Sequence, residues 1–269
     1  MRIFALIAAL AVFLARPLCA EIYQDLYAAL HMDEVVAVMR QEGLEEAEAT
    51  AEVYLKTSAR TNFDGAVDAL YAEASIERQL LNGLRTALAE ADAELALEFY
   101  RTPLGMLVGQ LETTGRVAIS NDAVEEMAIS IAQNALQDKE ARAELLESAV
   151  KEMGLTEYNL SGAFAARFAF LSGLAEADEL GITQDQILEL IAADQDSLRA
   201  EIEQWVLGFV FMAYRPLSDA ELTEYIAFQM SATGTALNQA LFESFNSVSV
   251  NNAGQLGKLL AAALQARDL

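Results

Sequence analysis

The sequence predicts an all-α protein, a multi-helix antiparallel bundle built from two diverged helical repeats. Three observations carry this expectation. Beyond residue 20 only two prolines occur, Pro103 and Pro216, while the strong helix formers Ala, Leu and Glu dominate. No stretch shows the period-two alternation of Val, Ile and Thr that marks a strand. Residues 88–121 also recur without gaps at 217–250, 129 positions later. The recurrence pairs Leu88 with Leu217, Phe99 with Phe228, Gly105 with Gly234, Gln110 with Gln239 and Ser120 with Ser249.

Residues 1–20 read as an export leader. Arg2 supplies the positive start, Ile3 to Ala15 an apolar core, and Pro17 a break before Leu18-Cys19-Ala20. The core is too short to span a bilayer. Cleavage after Ala20 is expected, which places the mature chain in the periplasm or outside the cell. The alternative is a lipoprotein acylated at Cys19, but the bulky Leu18 stands where lipoprotein processing favours a small residue.

Cleavage at Ala20 removes the one cysteine. Disulfides, thiol catalysis, cysteine–zinc sites and iron–sulfur clusters are then excluded together. The net charge is −24, and losing Arg2 and Arg16 takes it to about −26 by subtraction. Such a field repels nucleic acid and anionic lipid, which bind through basic contacts to phosphate. A chain that is 54% apolar holds enough hydrophobic surface for a sizeable core.

The helices are expected in order near 22–41, 45–60, 64–87, 90–101, 103–118, 122–136, 139–153, 157–179, 184–214, 219–230, 233–246 and 253–267. Gly43-Leu44, Gly154-Leu155 and Gly181-Ile182 each place a glycine at a helix end before an apolar residue, as in a left-handed cap. Thr183-x-x-Gln186 and Ser218-x-x-Glu221 are capping boxes. Thr102-Pro103 starts a helix, with Thr as cap and Pro at the first turn. Short loops make neighbours antiparallel. The repeat offset divides the mature chain into halves at 21–137 and 138–269, packed against each other because no low-complexity linker separates them.

Within the first repeat, Phe99-Tyr100-Arg101-Thr102-Pro103-Leu104-Gly105 forms a helix corner: Phe99 anchors the core, Thr102 and Pro103 begin the next helix, and Gly105 permits close approach. The second copy keeps Phe228, Ser231 and Gly234 but has Gln229-Met230 for Tyr100-Arg101 and Ala232 for Pro103. This FYRTPLG run, after an Asp-Ala-Glu-Leu helix, resembles the bacterial exported family catalogued as domain of unknown function 2059. The match covers about 84–115 and, more weakly, 213–246. The resemblance implies a helical fold and an export context; it brings no activity and no catalytic residues.

Candidate sites are few. His31 is the only histidine, and with Asp33 or Glu34 it falls short of the three or four ligands a zinc site needs. Asn62-x-Asp64-Gly65 looks like part of a calcium loop, but Arg60 and Tyr71 fill the first and last ligand positions; Asn62 or Asp64 is better read as a helix cap. No Gly-x-Ser-x-Gly elbow, phosphate loop or dinucleotide motif occurs. Carboxylate pairs such as Glu45 and Glu48 are expected by chance among 41 acidic residues. No catalytic residue, cofactor or metal is assigned. The run from Trp205 to Tyr214 is the most apolar after the leader, too short to cross a membrane, and reads as a buried core helix. Its alternative is a groove lined by Trp205, Phe209, Met212 and Tyr214, faced by Phe164, Phe168 and Leu171. Tyr100 and Arg101 form a second candidate interaction site, Arg101 pairing with a nearby carboxylate.

These features favour a non-enzymatic module that binds a periplasmic protein or the cell envelope. The alternative is a carrier or sensor of a small apolar ligand beside Trp205. A cavity of a few hundred cubic ångströms there is what separates the two.

Overall fold

A computed structural model describes residues 21–176 and 183–265, and within these the regular structure is entirely α-helical. In order the helices are α1 (21–29), α2 (Met32–Tyr54), α3 (Thr57–Leu70), α4 (Glu73–Ala87), α5 (Glu90–Tyr100), α6 (Pro103–Ile119) and α7 (Asp122–Gln137). They continue with α8 (Ala141–Glu152), α9 (Leu155–Ala175), α10 (Gln184–Ala193), α11 (Gln195–Ala213), α12 (Asp219–Gln229) and α13 (Ala232–Gln265). One continuous apolar core runs through the molecule, from Tyr23 to Ala261. No described helix is long and apolar enough to cross a membrane.

The caps explain several boundaries. Thr102 accepts the Gly105 N–H at 3.0 Å, with Pro103 at the first helical position. The capping boxes at Thr183 and Ser218 are both formed in full. Gly154 takes the left-handed conformation at φ 66° between α8 and α9. The expected leader at 1–20 and the expected cap at Gly181-Ile182 lie outside the described residues.

Elsewhere tertiary packing moves the expected boundaries. Gly43 does not end a helix: α2 runs straight through it, because the Tyr71 ring packs against the bare Cα where a Cβ would overlap it. Asn62 and Asp64 cap nothing, since both lie inside α3. The expected helix 22–41 is interrupted at His31, whose backbone is left-handed at φ 52°. The expected 184–214 helix divides at Asp194, whose carboxylate pairs with Arg167 of α9 at 3.0 Å.

The expected break between 246 and 253 is absent. In α13, Ala240, Ser244, Val248, Asn252, Leu256 and Leu260 recur every four residues and are all buried. Burial of that stripe outweighs the weak helix preference of Ser, Val and Asn. At 34 residues α13 is about 50 Å long at 1.5 Å per residue, so it reaches both halves. It packs on α9 along one side and on α3, α4 and α5 along the other.

The two corners have the same local geometry. Arg101 N–H donates to Leu97 O and Met230 N–H to Ile226 O, each at 3.0 Å. The Thr102 hydroxyl donates to Phe99 O at 2.8 Å, and the Ser231 hydroxyl to Phe228 O at 2.6 Å. At Gly105 and Gly234 a Cβ would overlap the carbonyl of Phe99 or Phe228 respectively. Both glycines are therefore required by the turn's close approach. Arg101 pairs with Asp25 of α1 at 2.7 Å; both side chains are largely exposed, and such a pair adds little stability.

Candidate functional site: a cavity beside Trp205

The helices enclose a half-open cavity of about 570 Å³. Its walls come from α2, α6, α8, α9, α11, α12 and α13, elements spread along most of the chain. The volume falls in the range of small-molecule sites, roughly 300–1,000 Å³. Met32, Val35, Met39, Leu146, Val150, Met153, Leu241 and Phe245 make most of the wall apolar.

The apolar run of α11 serves two purposes. Val206, Val210 and Ala213 are buried in the core, and Val206 and Val210 line the cavity together with Trp205, Phe209 and Tyr214. Trp205 and Phe209, one turn apart, stack with centroids 5.6 Å apart and planes within 2°. Met212 is half-buried and is not part of the lining. The wall supplied by α9 is also different from expectation. Gly162, Ala163 and Ala166 face the cavity in place of Phe164, Phe168 and Leu171, and these small residues are what leave the space open.

Charge enters the wall at three residues, Glu42, Glu112 and Arg116. Arg116 pairs with Glu42 at 2.6 Å and lies 5.9 Å from the Trp205 ring centroid, a cation–π arrangement. Both members of the ion pair are partly exposed, so they form the rim. Glu112 precedes Arg116 by four residues, one turn along the same face of α6. Its side chain is half-buried and contributes to the cavity wall.

One Glu112 carboxylate oxygen accepts two hydrogen bonds, from the Tyr214 hydroxyl at 2.6 Å and from the Tyr225 hydroxyl. Gln229 donates to the Tyr225 oxygen, and Asn238 donates to Gln229 at 2.9 Å. Among the described residues, no Lys, Arg or His forms an ion pair with Glu112. Burial pushes its carboxyl above the usual carboxylate range, and the two tyrosine hydroxyls oppose that shift by hydrogen bonding. Tyr214 and Tyr225 are driven well above the usual phenol range, by burial first and the Glu112 charge second. They are neutral donors at any physiological pH.

The sequence features meet behind this network. Tyr100 is buried at 2% exposure and lies against Tyr225 and Gln229, whereas Arg101 faces solvent. Tyr100 and Arg101 thus do not share a surface. Phe99 and Phe228, equivalent in the repeat, stack on each other, and Tyr100 meets Phe228 edge-on with centroids 6.0 Å apart. Glu112, Tyr225 and Gln229 are the site residues that sequence reading missed. Nothing distinguishes Glu112 from the other acids of the chain until the fold brings Tyr214 and Tyr225 to it.

Comparison with protein families, with curated proteins and with solved structures gives no match to the chain.

Proposed function

We propose that the protein is a non-enzymatic carrier or sensor that holds one small, largely apolar molecule in the cavity beside Trp205. The carrying observation is the cavity itself: about 570 Å³, walled mainly by aliphatic and aromatic side chains, with a polar network at one place. The rival reading, a module that binds a periplasmic protein or the envelope, rests on charge and expected export alone. The cavity rests on named residues, and that favours the ligand reading. The leader-like pattern of residues 1–20 supports a setting outside the cytoplasm. The matched corners support descent from two copies of one helical unit, with the cavity built where the copies meet.

The test uses the chain's single tryptophan. N-phenyl-1-naphthylamine, a neutral apolar fluorophore, absorbs where tryptophan emits. Titration should quench Trp205 and raise probe emission, saturating near one probe per chain. Ala163→Phe fills the cavity from α9 and should weaken that binding at least tenfold while the helical circular dichroism is retained. Absence of saturable quenching in the native chain would overturn the reading.

A further inference from the structure

Glu112 is the unusual group in this wall. Glu112 is half-buried, and a carboxylate partly withdrawn from water ordinarily has a basic partner or several charged hydrogen bonds, because removing a charge from water is costly. Here the nearest basic residue along the helix face, Arg116, is already taken by Glu42 at the rim. Glu112 is left with two neutral tyrosine donors on a single oxygen. Those donors fix the carboxylate and hold it toward the cavity.

We propose that Glu112, positioned by Tyr214 and Tyr225, is the seat for the cationic head of the bound molecule, an ammonium carried on an apolar body. The inference rests on the cavity being a ligand site. An ammonium supplies the missing counter-charge and hydrogen bonds to a carboxylate, an interaction stronger than one between neutral groups. Tyr214 and Tyr225 line the cavity with Glu112, so a head group seated there stays against polar hydroxyls as well as the carboxylate. The three charged residues of the wall sum to minus one with Glu112 ionised. The protein's net charge of −24 raises the local concentration of cations and lowers that of anions. An apolar fatty acid, the obvious competitor for such a cavity, would set its carboxylate against Glu112.

Three ligands of one chain length separate the possibilities: decylamine, decan-1-ol and decanoate, each competing with N-phenyl-1-naphthylamine at neutral pH. The native protein should bind decylamine at least tenfold more tightly than decan-1-ol, with decanoate weakest. In Glu112→Gln the amine-to-alcohol ratio should fall to within about twofold of one, each variant's own affinity for the fluorophore serving as its reference. Should Glu112→Gln not fold, Glu112→Asp draws the charge back by one methylene and should lower the ratio at least threefold. A native ratio near one, or a ratio unchanged in the folded variant, overturns the ammonium seat and leaves the apolar cavity standing. If the fluorophore itself does not bind the native chain, the cavity reading fails and the seat fails with it.

Discussion

Phe99 and Phe228 stack face to face, with ring centroids 3.7 Å apart and planes within 5°. They occupy the same place in the two copies of the repeat, at the end of α5 and of α12. The two corners are therefore joined through residues at matching positions of the sequence recurrence. Tyr225, one turn before Phe228, lies under Phe99 at 6.2 Å, which links the stack to the Glu112 network.

A double-mutant cycle on this pair should show real coupling. Phe99→Ala and Phe228→Ala should each cost about 2 kcal/mol, less than a fully buried phenylalanine because both residues are only partly buried. The coupling term should be about 1 kcal/mol, the size found for aromatic pairs beyond area burial. Urea unfolding of the four proteins measures it. Strict additivity would mean that the stack contributes nothing of its own.

The two corners should respond alike. Gly105→Ala and Gly234→Ala push a methyl into the preceding carbonyl, and each should cost about 1–3 kcal/mol, as forced overpacking does. Thr102→Ala and Ser231→Ala each remove one cap and should cost about 1 kcal/mol. Thermal melts of the four variants provide the comparison. A loss at one corner only would show that the second copy has drifted out of its structural role.

Much of this architecture is legible in the sequence because it is local. The caps at Thr102, Thr183 and Ser218 depend on residues three apart, and the apolar run from Trp205 follows from composition. What is not legible depends on distant partners. Gly43 reads as a stop until Tyr71 from another helix fills its gap. The stretch from Ser247 to Asn252 reads as a break until Val248 and Asn252 are buried and Asn251 reaches Gln79 of α4. Glu112 is one acid among 41 until Tyr225, far along the chain, binds it.

Glu112 should also leave a mark on stability. Its carboxyl is raised in the folded state, by burial, so the folded protein holds that proton to higher pH than the unfolded chain. Stability is then greatest below the ordinary carboxylate pKa and declines as pH rises through the raised one. Glu112→Gln removes this dependence. The variant should be more stable than the native protein at pH 8, and the gap should close toward pH 4. Melting temperatures of both across that interval measure the sign. A gap that widens toward low pH would contradict the assignment.

Filling the cavity should separate binding from folding. Ala166→Phe, like Ala163→Phe, occupies space that the native chain leaves open, so unfolding by urea should shift by less than about 1.5 kcal/mol. Fluorophore binding should fall at least tenfold. A large loss of stability would mean the space closes in solution.

The methionines carry the most direct measurement. Met32, Met39 and Met153 line the cavity, while Met106, Met127 and Met230 are exposed on the surface. With ¹³C-methyl methionine, NMR spectra recorded during a titration with N-phenyl-1-naphthylamine report both sets at once. The cavity account predicts that the Met32, Met39 and Met153 methyls shift together and saturate at one equivalent, while Met106, Met127 and Met230 stay in place. Shifts confined to Met106, Met127 and Met230, or none that saturate, would contradict it.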